Sequence, residues 1–336
     1  MATPKDKTND NWLETDILIV GAGMAGLTAG VELRRSGFDV LVIDKGRGVG
    51  GRLASRRIAD ATFDHGAQFF TARDPRFAAA VDGWIEAGVV EEWWRDPRAS
   101  PEGHSRWRGS PSMTAVAKHL ARDLEVLLGK RALSLHLEGE TWAAHLEDGE
   151  TIAAPAVLIT APVPQSLELL VAGGAELPAE TRALLESIEY EPCIAVLAVL
   201  DGPVCLPQPG GFLPTEGPIA WIADNQMKGV SATPAVTIHA TPEFSALNWD
   251  RDRQSCGQEL LDAAGEWLGA NVTEFQVHGW LYSKPVDGQE DPCLILRESP
   301  PLVIAGDAFG GPRVEGAALS GWAAAGVLTE MCRQFG

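Results

Sequence analysis

The sequence predicts an α/β protein in two parts. One part is a mostly parallel sheet covered by helices and carrying a small β-meander; the other is α+β with a mostly antiparallel sheet. Three observations carry this reading. Ile17–Val20 is a short apolar, β-branched run, followed by a glycine-rich turn, a helix-like segment to about Ser36 and a second apolar run, Val40–Ile43. Strand, helix and strand in that order form a parallel βαβ unit. Leu302–Ala305 is another buried-strand run, followed by Gly306-Asp307 and an apolar helix through Met331. Between 166 and 277 the texture changes to apolar strands (IAVLAVL, AVTIHA), proline-rich loops and helices near 179–187 and 252–268, as expected of a sheet with flanking helices.

Gly21, Gly23 and Gly26 stand at G-x-G-x-x-G spacing between the first strand and helix. The first allows a tight turn, the second lets the backbone approach a pyrophosphate, and the third lets helix pack on sheet. The helix N-terminus offers free N–H groups and a positive dipole end to phosphates. Asp44 closes the second strand, where an acid reaches ribose hydroxyls. A Rossmann-like dinucleotide site follows, with Gly21, Gly23, Ala25, Gly26 and Asp44 as its cradle.

After Asp44 comes Lys45-Gly46-Arg47-Gly48-Val49-Gly50-Gly51-Arg52. This resembles the second glycine element of FAD enzymes of the glutathione-reductase-like class, in the branch that holds flavin amine oxidases. The resemblance implies non-covalent FAD, with Lys45 and Gly51 beside it. Arg52 meets the phosphates, a role suited to a guanidinium fork. Thr62–Ala72 follows, a mixture of aromatic and hydrogen-bonding side chains. Here D-x-G-A-Q-x-F-T-A, on Asp64, Gly66, Ala67, Gln68, Phe70, Thr71 and Ala72, resembles the renalase family, most of all its bacterial members. The resemblance puts Gln68 and Phe69 beside the flavin, and Gln68, Phe69, Phe70, Thr71 and Ala72 in the substrate pocket. Gln68 and Thr71 have the groups to read an amide or a flavin edge. His65 reads as structural rather than as a base.

Further elements extend the likeness. Phe77–Glu92 reads as an amphipathic helix. Trp107-x-Gly109-x-x-x-Met113 resembles an element of renalases and flavin amine oxidases; Arg106 and Trp107 suit an anionic, planar substrate, although Trp107 reads as core as well. Trp280, Leu281, Tyr282 and Pro285 match the W-L-Y-x-x-P element of bacterial renalases, placing Trp280 and Tyr282 at the pocket. Gly279 departs from the family, which has an arginine there, and Lys284 is a weak substitute. At the end, Gly306 and Asp307 resemble the class's ribityl-binding turn. Arg313-Val314-Glu315-Gly316, with Ser320-Gly321 beyond, is again renalase-like and aims a helix N-terminus at the flavin N1/O2 edge.

The domain division expected from these elements is 15–76, 109–165 and 278–336 for the FAD-binding part, and 77–108 with 166–277 for the substrate part. Residues 1 to about 14 read as a disordered leader. The chain has 336 residues and net charge −19, which argues against a nucleic-acid partner or an anionic membrane surface. An anionic substrate therefore needs a locally basic pocket. Five scattered cysteines with no C-x-x-C, no zinc spacing, no apolar leader and no membrane-length apolar run point to a reducing cytoplasm.

There is no Ser-His-Asp arrangement, no disulfide centre and no second G-x-G-x-x-G for a separate pyridine-nucleotide domain. No side chain is identified as a catalytic acid or base. The renalase resemblance implies an oxidase that converts 2- or 6-dihydroNAD(P) to NAD(P)+ by hydride transfer to flavin N5, with O2 reduced to H2O2. A dihydropyridine becomes aromatic on losing hydride, so no general base is required. Two alternatives stand beside it: a flavin amine oxidase or desaturase acting on a small amine or other organic substrate, and a non-catalytic FAD-binding protein. Amine oxidases hold the amine between rings, usually tyrosines, and this chain has only Tyr190 and Tyr282.

Overall fold

The computed structural model describes residues 12–96 and 103–335. Ile17–Val20 lies inside a six-stranded sheet ordered Leu294–Arg297, Leu302–Ile304, Ala156–Ile159, Ile17–Val20, Val40–Asp44 and Glu125–Leu128. All neighbours are parallel except the first pair. Strands covered on both faces need apolar side chains at every position, and here the two parities separate cleanly. Ile17, Ile19, Val40 and Val42 pack with the helices Met24–Arg35 and Val314–Phe335. Leu18, Leu41 and Ile43 face a second cluster with Leu135, Trp142 and Ile152.

The first and last of these helices cross closely. A side chain at Gly321 would begin 2.3 Å from the Ala25 carbonyl oxygen, and Thr28 Oγ1 donates to Ala318 O at 3.4 Å. The small residue is what permits the crossing.

The meander is a four-stranded sheet of Trp12–Glu14, Thr151–Ala154, Thr141–Leu146 and Ala132–Glu138. Its outer strand corrects the disordered leader: Trp12, Leu13 and Glu14 pair in parallel with Thr151, Ile152 and Ala153. Residues 1–11 of that leader lie outside the described residues.

The other sheet has five antiparallel strands: Gly211–Phe212, Ile219–Asp224, Ala235–Ala240, Tyr190–Leu200 and Val272–Pro285. Helix Arg253–Ala263 covers one face through Cys256, Leu260 and Leu261. The opposite face receives the hairpin Ser55–Ile58/Ala61–Asp64, with Phe63 against Leu197 and Ala235. That hairpin carries Asp64 to the seam between the two large sheets.

Three expected boundaries move. The division at 277/278 falls inside the strand Val272–Pro285, whose pairing runs from Leu200↔Val272 to Tyr190↔Pro285 with two irregularities. Cutting it would break one continuous ladder. The helix expected over 77–92 spans Pro75–Glu86; Gly88 at φ +70° turns the chain, and Val90–Asp96 becomes a strand paired with His104–Gly109. The helix expected near 252–268 breaks into Arg253–Ala263 and Gly265–Leu268. Residues 97–102, inside the expected 77–108 segment, lie outside the described residues.

Candidate active site

Gly21 adopts φ +117°, open to glycine and strained for other residues. A side chain at Gly26 would begin 2.0 Å from Gly21 O, so the helix starts hard against the turn. Its N-cap, Gly23, supplies no side-chain cap, which leaves first-turn N–H groups for another acceptor. Gly50 N–H donates to Ala22 O at 2.8 Å, and the start of a side chain at Gly51 would lie 3.6 Å from Gly23 Cα. The two glycine elements therefore meet face to face. An uncapped helix start walled by backbone fits a pyrophosphate.

Asp44 is more engaged than expected. Its Oδ2 accepts from Ala22 N at 2.7 Å and its Oδ1 from Gly46 N at 2.6 Å. It closes the cradle turn, and only its remaining lone pairs are open to a ribose hydroxyl. Lys45 reaches away from the turn, Nζ to Gln165 Oε1 at 2.9 Å; burial, with Arg131 nearby, lowers its pKa.

Arg52 is engaged by a carboxylate. Its Nη1 and Nη2 donate to the two oxygens of Asp307 at 2.6 and 2.7 Å, and Nη1 also reaches Ser283 O at 3.1 Å and Tyr282 O at 3.4 Å. Burial opposes the guanidinium charge, but Asp307 outweighs it and raises the Arg52 pKa. The residue expected on phosphate and the one expected on ribityl hydroxyl form one bidentate pair. The reason is geometric: the Gly306 turn, whose N–H donates to Ser320 Oγ at 2.8 Å, delivers Asp307 to the Arg52 fork.

Arg313 stands at φ +97° and is exposed at the start of the last helix. Val314 is buried against Met24 and Phe70, among others, and Gly316 is buried beside the Gly310 and Gly311 carbonyls. Glu315 binds backbone. Its Oε1 accepts from Arg73 N at 2.6 Å and Asp74 N at 2.7 Å, so it ties down the end of the pocket segment.

That segment is organised from Asp64. Asp64 Oδ1 accepts from Ser55 Oγ at 2.6 Å and Met113 N at 3.0 Å, and Oδ2 from Lys228 Nζ at 2.7 Å. Both side chains of the Asp64–Lys228 pair are 0 % exposed. Burial lowers the Lys228 pKa; Asp64 opposes that shift and Arg108 adds to it. The Asp64 carbonyl accepts from Thr237 Oγ1 at 3.0 Å and Gln68 Nε2 at 2.5 Å. Gln68 Nε2 also reaches Gly66 O at 3.2 Å, and Gln68 Oε1 lies 3.5 Å from Lys228 Nζ. The Gln68 amide nitrogen is therefore bound by its own segment.

The next residues part company. Phe69 turns toward Trp93, Trp94 and Trp221, with ring centroids 6.3, 5.2 and 5.6 Å away. Phe70 enters the core beside Phe77 and Trp84. Thr71, Ala72 and Trp107 line a separate cavity of about 230 Å³ with Asp82 and His104. Arg106 lies over the Phe69 ring, 5.2 Å from its centroid. Arg106 and Trp107 are neighbours on one strand and face opposite sides.

Trp280 Nε1 donates to His65 O at 2.9 Å, and its ring lies 5.1 Å from His65 and 4.3 Å from His278. Tyr282 packs edge-on to Tyr190 at 5.5 Å and 74°, not as a parallel pair of walls. Burial, with His278 and Arg56 nearby, pushes His65 down to about 3. Burial holds His239 and His278 at about 4. All three are neutral at pH 7. Gly279 faces the other side of the strand, where a side chain would meet the Trp249 ring at 2.9 Å, and Lys284 pairs with Glu191 at 3.2 Å.

Sequence reasoning missed Lys228, Trp93 and Trp94. One signal was legible: a single lysine inside IAWIADNQMKGV, between strands that had to be buried, requires a buried acid.

Residues 77–329 match the model of the flavin containing amine oxidoreductase family, and residues 19–84 match an NAD(P)-binding Rossmann-like domain. Renalase of Mus musculus is 24% identical over 319 residues, covering 87% of this chain and 92% of that protein. A Mycobacterium tuberculosis protein described as a flavin-containing monoamine oxidase is 45% identical over 104 residues, 31% of this chain but 21% of its own. A solved structure of a putrescine oxidase variant superposes with a TM-score of 0.71 at 14% identity, covering 94% of this chain and 99% of that one. The chain belongs to the flavin containing amine oxidoreductase family and is an FAD-dependent oxidoreductase.

Proposed function

We propose that the protein oxidises isomeric dihydronicotinamide nucleotides, the 2- or 6-dihydro forms of NAD(P), to NAD(P)+. The observation that carries the reading is the lining beside the pocket segment. Arg106 lies over the Phe69 ring, 5.2 Å from its centroid. Cations over aromatic faces suit a planar, anionic substrate and oppose an alkylammonium. In a chain of net charge −19, this is the local basic character that such a substrate requires. Likeness to renalase along nearly the whole of both chains supports the same reading.

FAD, when bound, supplies the two-electron acceptor for the substrate hydride and passes the electrons to O2 to give H2O2. The chain's part is orientation. Asp64, Lys228 and Gln68 hold the pocket segment rigid, the uncapped helix start at Gly23 offers N–H groups to the pyrophosphate, and no residue has to take a proton from the substrate. The second reading, oxidation of a small amine or other organic substrate, rests on the family match and on the putrescine oxidase fold.

The test is anaerobic mixing of the holoenzyme with each dihydro isomer and with amines, followed by flavin absorbance. The 2- or 6-isomers should bleach the flavin rapidly and 4-dihydro NADH poorly. Bleaching by an amine with none by the isomers would establish the second reading.

A further inference from the structure

We propose that Phe69, Trp93, Trp94 and Trp221 form a subsite for the adenine ring of a dinucleotide substrate, with Arg106 beside it for the phosphates. This rests on the dihydronicotinamide reading and adds what grips the half of the substrate that does not react.

The construction of the cluster is specific. In the ribbon Val90–Asp96/His104–Gly109, Glu92 pairs with Trp107 and Trp94 with Arg106, leaving Trp93 as an extra residue. Consecutive residues of a regular strand face opposite sides. The irregularity lets both indoles turn to one side, where their centroids lie 4.5 Å apart at 89°. Trp221 also sits beside a register shift, between Ile219 and Trp221. Its ring is nearly parallel to that of Trp94, at 16° with centroids 6.3 Å apart. All four rings are half-buried rather than enclosed.

Packing alone leaves one atom unexplained. Trp221 Nε1 is buried and has no hydrogen-bond partner, whereas a buried indole N–H ordinarily finds an acceptor. A purine supplies both a stacking face and ring-nitrogen acceptors. The position is right as well. Ala67 N–H donates to Arg52 O at 2.8 Å, and Phe69 is two residues further, at most ~7 Å along the chain. The cluster therefore adjoins the cofactor cradle. With the dihydropyridine stacked on the flavin, the adenine is the planar ring left to be bound.

The test uses holoenzyme and isothermal titration calorimetry with ADP-ribose, NAD+, nicotinamide mononucleotide and phenethylamine. Wild type should bind ADP-ribose and NAD+. Trp94→Ala should weaken both by roughly 5- to 100-fold, the range for loss of one base–aromatic stack. Trp94→Phe should retain most of the affinity. Trp221→Phe, which keeps a ring and removes the N–H, should weaken both by about 5-fold. Neither variant should change the affinity for nicotinamide mononucleotide or the bound-FAD spectrum, which separates a lost subsite from a damaged fold. Unchanged ADP-ribose affinity in Trp94→Ala and Trp221→Phe would overturn the subsite, as would a wild type that binds phenethylamine and not ADP-ribose. If the isomers fail to bleach the flavin but Trp94→Ala still loses ADP-ribose, the subsite stands and the reaction reading falls.

Discussion

Lys228 is the residue on which the pocket most depends. It has one full charge partner, Asp64, and both side chains are fully buried. Removing one member of such a pair strands the other charge in a low-dielectric site. Lys228→Met should therefore lower stability by about 3–5 kcal/mol, read by denaturant unfolding. The double variant Lys228→Met/Asp64→Asn should recover much of that loss, because no charge is left unpaired. A single variant as stable as wild type would show that the pair is not a net support. Histidine at 65 is a different case. Its carbonyl accepts both Trp280 Nε1 and His239 Nε2, so its backbone is fixed although its ring Nδ1 has no partner.

Between elements, Arg52 joins the second glycine element to Asp307 and to the strand Val272–Pro285. Arg52→Ala should weaken FAD retention by roughly 10- to 100-fold, in line with charge-assisted hydrogen bonds of about 1.5–3 kcal/mol. Equilibrium dialysis at low salt reads it, and unchanged affinity would remove Arg52 from the cofactor's support. The elements also show what was legible in the sequence. The βαβ unit, the Gly306-Asp307 turn and the last helix were readable because glycine spacing and apolar runs are local. The partner of Arg52 was not, since Asp307 is 255 residues away and a guanidinium fork serves carboxylate and phosphate alike. Nor was the strand at Val90–Asp96: EEWW carries no clean alternation, and its pairing at Trp93–Trp94 is irregular. The contact of Gln68 with Lys228 was not legible either, since the two lie 160 residues apart.

At the scale of the whole molecule, the seam between the sheets is lined by histidines kept neutral through burial. His65 is held at about 3, and His239 and His278 at about 4, against 6.5 when unfolded. Between those values the unfolded chain binds more protons than the folded one. Stability therefore rises with pH through this interval, is complete above about 6.5, and is lost as pH falls toward 4 and then 3. Each histidine adds up to ~1.4 kcal/mol per pH unit to the slope. Urea midpoints measured from pH 7 to 4.5 should fall steeply, and replacing His278 with Gln should flatten the fall. A slope unaffected by that change would place the acid sensitivity elsewhere. No helix among the described residues is long and apolar enough to cross a membrane. One side chain finally connects the seam to the cradle. Arg52 grips Asp307 with both arms while one of them touches the Tyr282 and Ser283 carbonyls. It arbitrates between two claimants. Any anion in the cradle that draws the guanidinium toward itself slackens the wall beside Tyr282, and any ligand that tightens that wall alters how firmly the cradle holds its anion. A coupling of that kind would run equally in both directions, since linkage between two binding free energies is reciprocal.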